Sequence, residues 1–354
     1  MARDPSPGIV HRVMRGSVLW LIAEHAGVST LSARIRHDLA QGVTEGAADP
    51  DVRAMVIACR GTSFFIGADL HELQTGLKSP GLDALVHACE ATDKPVVSAM
   101  HARAFGGGVV VALASDARIA THDTIFAMPE VELGLLPTFG GTQYLPRLIG
   151  VQAALDLVTD GTRVSAAQAL AIGLVDRVVP DEAIRDAAQS LAESLPRKRR
   201  VRDETRHAVG AATLARLCEA KRAQLRGRCS GFAAPFACVD VMQRGLGLPL
   251  PAALRLEHAQ FERLLASEQS RRLRTLFFAE RRLLRCSFDR PAVSREILAA
   301  GGSGSTLAEL GTALLGRRVL PDLGVFDALV VEVLGLERHL PSVLGLPARG
   351  AEAP

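Results

Sequence analysis

From about residue 8 to residue 185 the chain alternates short, β-branched apolar runs with longer stretches in which apolar residues recur every three or four positions. Strand and amphipathic helix in repeated succession are best satisfied by a sheet covered with helices, each hiding its apolar stripe against the strands. SVLWLIAE, VRAMVIACRG, KPVVSAMHARA and GLVDRVVP read as strands, and ARIATHDTIFAM as a further short one. LSARIRHDLAQGVTEGAA and GLDALVHACEATD read as helices, as do VQAALDLVTDG and SAAQALAIG, whose terminal glycines suit helix C-caps. Beyond about residue 186 the β-signal fades. RDAAQSLAESL, RDETRHAVGAATLARLCEAKRAQLRGR, PAALRLEHAQFERLLAS and QSRRLRTLFFAERRLLR predict helices. The expected organisation is an α/β core over residues 1–190, a helical region over 191–290 and a short helical extension over 291–354. Within that extension AAGGSGS reads as a flexible joint and GLPARGAEAP as a frayed end.

Charge and cysteine usage exclude several classes of function. A net charge of +3 and a pI near 8.6 are too mild for a protein whose main partner is nucleic acid. The single basic run, PRKRRVR at 196–202, falls between two helical patterns and reads as a solvated connector. The six cysteines form no CxxC pair and no Cys/His spacing suited to zinc, so free thiols and no metal are expected. The apolar patch VLWLIA near the N-terminus is too short for a signal peptide core or a membrane span. A cytoplasmic location without membrane association follows as the expectation. GGSGST at 301–306 lacks the preceding strand that a dinucleotide-binding turn requires.

Three stretches carry chemistry: SFFIGADLHEL (63–73), HARAFGGGVVVALASD (101–116) and FAMPEVELGLLPTFGGTQYLPRLIG (126–150). In each, a glycine-containing turn lets backbone N–H groups face a cleft with no side chain in the way. Glycines at a helix start add the positive end of its dipole. Two such amides aimed at one oxygen make an oxyanion hole.

These segments, in this order, with a TDG…A-x-x-A-x-x-x-GLVD-x-VVP tail, resemble the crotonase (enoyl-CoA hydratase/isomerase) superfamily over roughly residues 10–190. The resemblance implies a spiral of ββα units that binds acyl-CoA thioesters and stabilises a thioester enolate. It assigns the two oxyanion amides to Ala68 and Gly107, with Gly67, Asp69, Gly106 and Gly108 in the substrate-binding turns. It implies no metal and no cofactor beyond the coenzyme A of the substrate. Hydratases of the family use two glutamates. The one after the proline of the PE pair is Glu130; the position of the other is held by Val110. A valine can neither take nor give a proton, so one-base double-bond isomerisation through Glu130 is the expected activity. Weak hydration, acyl-CoA hydrolysis and a catalytically inactive acyl-CoA-binding or scaffold role stay open. Related hydrolases and dienoyl isomerases place an aspartate where this chain has Thr138, which would orient water or substrate. The segment GFAAPFACVDVMQRGLGLPLPAALRLEHAQFERLLASEQSRRLRTLFFAER resembles the linker of multifunctional fatty-acid oxidation α-subunits. The family offers both trimers and monomers with a self-packed helix, so oligomeric state is open.

Other polar residues are expected to be structural. Asp69 and Asp116 read as turn and helix-end residues. Glu132 alternates with Glu130 along PEVEL and should share its side if that run is strand-like, yet reach solvent. Glu72 and His71 lie just past the GADL turn, His101 reads as a hydrogen-bonded core histidine, and Tyr144 receives no role. Ala102 and Arg103 stand where a glycine-aromatic pair is usual.

Overall fold

Strands Ile9–Arg15 (β1) and Val18–Glu24 (β2) form an antiparallel hairpin that opens a six-stranded sheet. The computed structural model describes residues 9–285 except 26–28, 70, 71, 73–75, 77 and 230; the joint and extension at 291–354, Cys286 and His71 lie outside the described residues. Ala54–Arg60 (β3), Val96–Met100 (β4), Ala117–Thr121 (β6) and Arg177–Val179 (β9) continue the sheet in the order β1-β2-β3-β4-β6-β9, all parallel from β2 onward. Arg103–Phe105 (β5), Ile125–Ala127 (β7) and Val164–Ser165 (β8) form a second, three-stranded sheet.

Two of the expected strands therefore divide. KPVVSAMHARA leaves the large sheet at Ala102, which adopts φ 54°, and enters the small one as β5. ARIATHDTIFAM likewise becomes β6 and β7 in different sheets. The expectation of SVLWLIAE as the first strand missed β1, because an edge strand facing water carries too little apolar alternation to be legible.

Helices Ala33–Ala48 (α1), Leu82–Ala91 (α2), Gly107–Ala114 (α3), Gly141–Ile149 (α4), Val151–Asp160 (α5), Ala166–Ala171 (α6) and Ile184–Ser194 (α7) connect and cover the strands. Strand alternation sorts the apolar residues between two cores. Ala54, Val56 and Ala58 of β3 pack with Trp20, Val97 and Ile119 under α7, whereas Met55 and Ile57 face the larger core beneath α1, α2 and α3. Trp20 Nε1 donates to Gln189 Oε1 of α7 at 2.7 Å, so the indole is both buried and satisfied.

Helices Ala211–Arg228 (α8), Ala233–Gly245 (α9) and Leu250–Leu265 (α10) join residues 9–229 in one compact unit that ends at 266. The helix expected over 202–228 starts only at Ala211. The buried stripe of α8 includes Lys221, whose Nζ reaches Asp156 at 2.7 Å and Asp160 at 2.9 Å on α5. A fully desolvated ammonium held by two carboxylates fixes the register of α8 on the core. Helix Glu268–Arg285 (α11) belongs to a second unit.

Candidate active site

The glycine run 106–108 stands where β5, the turn after Phe65 and the start of α3 crowd together. Gly106 is the N-cap of α3 at φ 51°, ψ −116°, a conformation that side chains disfavour, and its N–H donates to the Ala127 carbonyl at 2.9 Å. A Cβ at position 108 would stand 2.0 Å from the Phe65 carbonyl oxygen, so only glycine allows that backbone approach. The consequence is that the first turn of α3 lies against residues 65–68. The Ala68 nitrogen is 3.7 Å from where a Cβ on Gly107 would sit.

Leu31 N–H bonds the Gly67 carbonyl at 2.9 Å in a short parallel bridge. The Gly67 carbonyl and the Ala68 N–H belong to one trans peptide, in which C=O and N–H point in opposite directions, so the Ala68 N–H faces away from Leu31. Neither the Ala68 nor the Gly107 N–H donates to another described group. Two half-buried amides, side by side and unspent, are what an oxyanion hole requires.

Glu130 lies against the same turn: its Oε1 is 2.6 Å from the position a Gly106 side chain would take. The residue is partly exposed, but Oε2 is buried and has no hydrogen-bond partner. Burial, reinforced by the Glu132 and Glu257 carboxylates, pushes the carboxyl up to about 7 against the pull of its own backbone amide. The PEVEL run that carries it is a 3₁₀ turn, Pro129–Leu133, rather than a strand. Pro129 has no N–H to give a ladder and suits the first turn of a helix. At three residues per turn, positions two apart diverge, which corrects the expectation that Glu132 shares the side of Glu130. Glu132 is exposed, as expected.

Val110 is buried one turn into α3, with its N–H on the Gly106 carbonyl at 3.1 Å. Thr138 is partly buried, and its Oγ1 is buried with no partner. It opens a turn of unusual backbone, with Phe139 at φ 57° and Gly140 at φ 95°, before α4 begins. Residues Gly81 and Leu82 connect this turn to the amides. The Phe139 ring is 3.6 Å from the Cβ position of Gly81, and Leu82 Cδ2 is 3.4 Å from that of Gly107.

Sequence reasoning missed Glu257. Its carboxylate, almost wholly buried, accepts from Gly140 N–H at 2.7 Å, Thr142 N–H at 2.9 Å and Thr142 Oγ1 at 2.5 Å. Burial also pushes this carboxyl up to about 7, although its three donors pull downward. A signal was available: Glu257 shares the buried stripe of α10 with Ala253, Phe261 and Leu264, an odd place for a charge unless it is paired.

The remaining candidates are structural. Asp116 accepts from Val96 N–H at 2.8 Å, Lys198 Nζ at 2.7 Å and Arg199 N–H at 2.6 Å. Glu72 accepts from Ala33 N–H at 2.9 Å and pairs with Arg36 at 2.8 Å, both side chains being buried. His101 is only partly buried and its Nε2 lies 3.1 Å from the Gly61 carbonyl. Tyr144 is buried beside Glu90, and desolvation raises its hydroxyl pKa.

The run 196–202 is solvated only in part: Pro196, Arg197, Arg199 and Arg202 are exposed, but several of its groups are tied to the core. Lys198 also reaches the Cys89 carbonyl at 2.7 Å, Arg200 the Glu90 carbonyl at 2.7 Å, and Arg202 the Glu90 carboxylate at 2.9 Å. The positive charges are used to tie this segment across the ends of α2 and α3. Among the described residues no disulfide joins cysteines 59, 89, 218, 229 and 238, no cluster of three or more His, Cys, Asp or Glu could hold a metal, and no helix is long and apolar enough to cross a membrane.

A mostly parallel six-stranded sheet covered by helices, with a second three-stranded sheet beside it, is the architecture of a crotonase-type fold. Residues 22–246 match the family model described as enoyl-CoA hydratase/isomerase, and the chain belongs to that family. It is 33% identical over 355 residues to the peroxisomal bifunctional enzyme of Danio rerio, covering 97% of this chain and 48% of that protein. It is 30% identical over 305 residues to the fatty acid oxidation complex subunit alpha of Shewanella sp. (strain ANA-3), covering 80% and 43%. The chain thus spans about half the length of these relatives, or less. Among solved structures, an enoyl-CoA hydratase/isomerase from Pseudoalteromonas atlantica T6c superposes with a TM-score of 0.58 at 22% identity, covering 77% of this chain and 97% of that one. A carnitinyl-CoA hydratase from Mycobacterium avium gives 0.54 at 28% identity, covering 77% and 95%.

Proposed function

We propose that the chain is an acyl-CoA-processing enzyme that shifts a double bond between the β,γ and α,β positions of an enoyl-CoA, using Glu130 as its only base. The reading rests on one observation: Glu130 Oε2 is buried without a partner beside the Gly106 turn, while the neighbouring helix offers the buried, apolar Val110 and no second carboxylate.

In this mechanism the thioester oxygen accepts hydrogen bonds from the Ala68 and Gly107 amides. Glu130 takes a proton from the α-carbon of a 3-enoyl thioester, and the electron pair delocalises onto the thioester oxygen as a dienolate. The same carboxyl then returns the proton at the γ-carbon, which leaves the 2-enoyl product and regenerates the carboxylate. A carboxyl poised near neutrality is well matched to both transfers. Each oxyanion amide is worth about 10²- to 10³-fold in rate in comparable sites. Hydration needs a second proton-transfer group, and losing one typically costs about 10²- to 10⁴-fold. The name of the Shewanella relative, a fatty acid oxidation complex subunit, supports a place in fatty-acid oxidation.

The unpartnered Thr138 hydroxyl favours a second reading, in which it directs a water for slow hydration or hydrolysis. Parallel incubations separate the readings. A 3-enoyl-CoA should be converted to its 2-enoyl isomer without gain of mass, and crotonyl-CoA should gain no water. Fast hydration of crotonyl-CoA would overturn the one-base reading, and tight binding without turnover of either would support an inactive acyl-CoA-binding protein.

A further inference from the structure

We propose that Glu257 is a positioning residue: from helix α10 it fixes the turn 138–142 and, through it, the Thr138 hydroxyl at the candidate site, which makes the C-terminal helical region part of the active site. The inference deepens the reading of this chain as an acyl-CoA enzyme and rests on it.

Three features of this turn converge. Its backbone is held in left-handed conformations at both Phe139 and Gly140, which a non-glycine residue keeps only when its surroundings leave no alternative. The turn's hydrogen-bonding surroundings include one buried carboxylate from outside it. Glu257 takes Gly140 N–H with Oε1 and both Thr142 donors with Oε2, so the first turn of α4 has a fixed anchor at its positive end. The anchor comes from 115 to 117 residues downstream. Nothing within the turn supplies it.

The end of the turn that Glu257 fixes is continuous with the end that carries chemistry. Thr138 O accepts from Gly141 N–H at 3.3 Å, and Thr138 Oγ1 is buried without a partner. A buried hydroxyl unpaired within the protein is the exception in folded chains and points to a group supplied from outside. The Phe139 ring lies near the position a Gly81 side chain would take, and Leu82, the next residue, near that of Gly107. Three of the roughly four lone-pair directions of the Glu257 carboxylate already serve protein donors, and the side chain is almost wholly buried, so it is engaged by the fold and not presented to a substrate. It acts by holding, and Glu130, whose Oε2 is unengaged, acts by transferring.

The α10 helix is kept in place to do this. Gly245, at the end of α9, lets that helix approach α4 so closely that a Cβ would stand 2.5 Å from the Gln143 amide. Ala253, Phe261 and Leu264 then seat α10 on the core.

The test is a double-mutant cycle of Glu257→Gln and Thr138→Val in the full chain, with melting temperature, kcat and KM measured on a 3-enoyl-CoA. The introduced side-chain amide would set a donor against a donor, loosening the turn while keeping the side-chain volume. Glu257→Gln should lower kcat about 10- to 100-fold with KM changed less than about threefold, and the double variant should be no slower than the slower single variant, as for residues acting through one element. A Glu257→Gln protein with unchanged kcat, or losses that multiply in the double variant, would overturn the proposal. Glu130→Gln in the same assay tests the one-base reading separately: its turnover can stay high, sinking that reading, while the cycle still decides on Glu257. If the wild type turns over no enoyl-CoA, the cycle is read in the affinity for butyryl-CoA. There, weakening shared by the single and double variants supports positioning, and equal affinity in all four proteins overturns it.

Discussion

Glu130 and Glu257 lie in the same interior, and burial pushes both carboxyls up to about 7. They differ in what surrounds the oxygens. Glu257 is met by three protein donors at 2.5 to 2.9 Å, whereas Glu130 Oε2 meets none. A buried carboxylate that the fold has engaged is an anchor, and one that the fold has desolvated but left unengaged is free to exchange a proton with a ligand. A raised pKa alone does not separate these cases; the partner list does.

The comparison can be broken most sharply at Glu130. Glu130→Gln should cut isomerisation by at least about 10³-fold, the scale of losing the only proton-transfer group, while leaving the melting temperature within a few degrees. Retained turnover would remove the distinction. The opposite profile is expected for Glu257→Leu, which strands two backbone N–H groups and a hydroxyl. It should cost about 3 kcal/mol of unfolding free energy in denaturant titrations. The matched Glu130→Leu should be neutral or mildly stabilising, since it replaces an unengaged acid by an apolar group.

Gly106→Ala comes next. Its Cβ would be driven to within 2.6 Å of Glu130 Oε1 from a backbone conformation unfavourable to alanine. About a 10²-fold loss of kcat is expected, with about 1 to 2 kcal/mol of destabilisation.

The smallest effect is on pH dependence. A carboxyl whose folded pKa is raised from 4.5 to about 7 binds its proton more tightly in the folded state, so its contribution is present below the unfolded value and is lost as pH rises through about 7. Glu130→Gln should therefore flatten the decline in stability across that interval, measured by denaturant melts at several pH values. Glu257→Gln confounds the same comparison by breaking its hydrogen bonds.

The Glu130 half of this contrast was legible in the sequence. The PE pair, the glycine run and the GADL turn are local patterns, because close backbone approach and a free N–H can only be built from a few residue types at fixed spacing. The strand and helix order was legible for the same reason, through periodicity. What escaped depends on contacts across the chain. Glu257 lies in a stretch that reads as an ordinary charged helix, and only the three-dimensional partner at Gly140 explains its burial. Lys198 and the Arg199 backbone look free in the sequence because their acceptor, Asp116, is more than eighty residues away. Strand β1 escaped because its partners are on one side only, and the 3₁₀ turn at Pro129 because PEVEL alternates as a strand does.

The most direct test of the central claim is an infrared difference titration of the protonated carboxyl band, wild type minus Glu130→Gln, from about pH 5 to about pH 9. One buried carboxyl band that belongs to Glu130 and disappears with a midpoint near 7 is the predicted result. A Glu130 carboxyl already ionised at the acidic end, titrating like an ordinary surface glutamate, would contradict it.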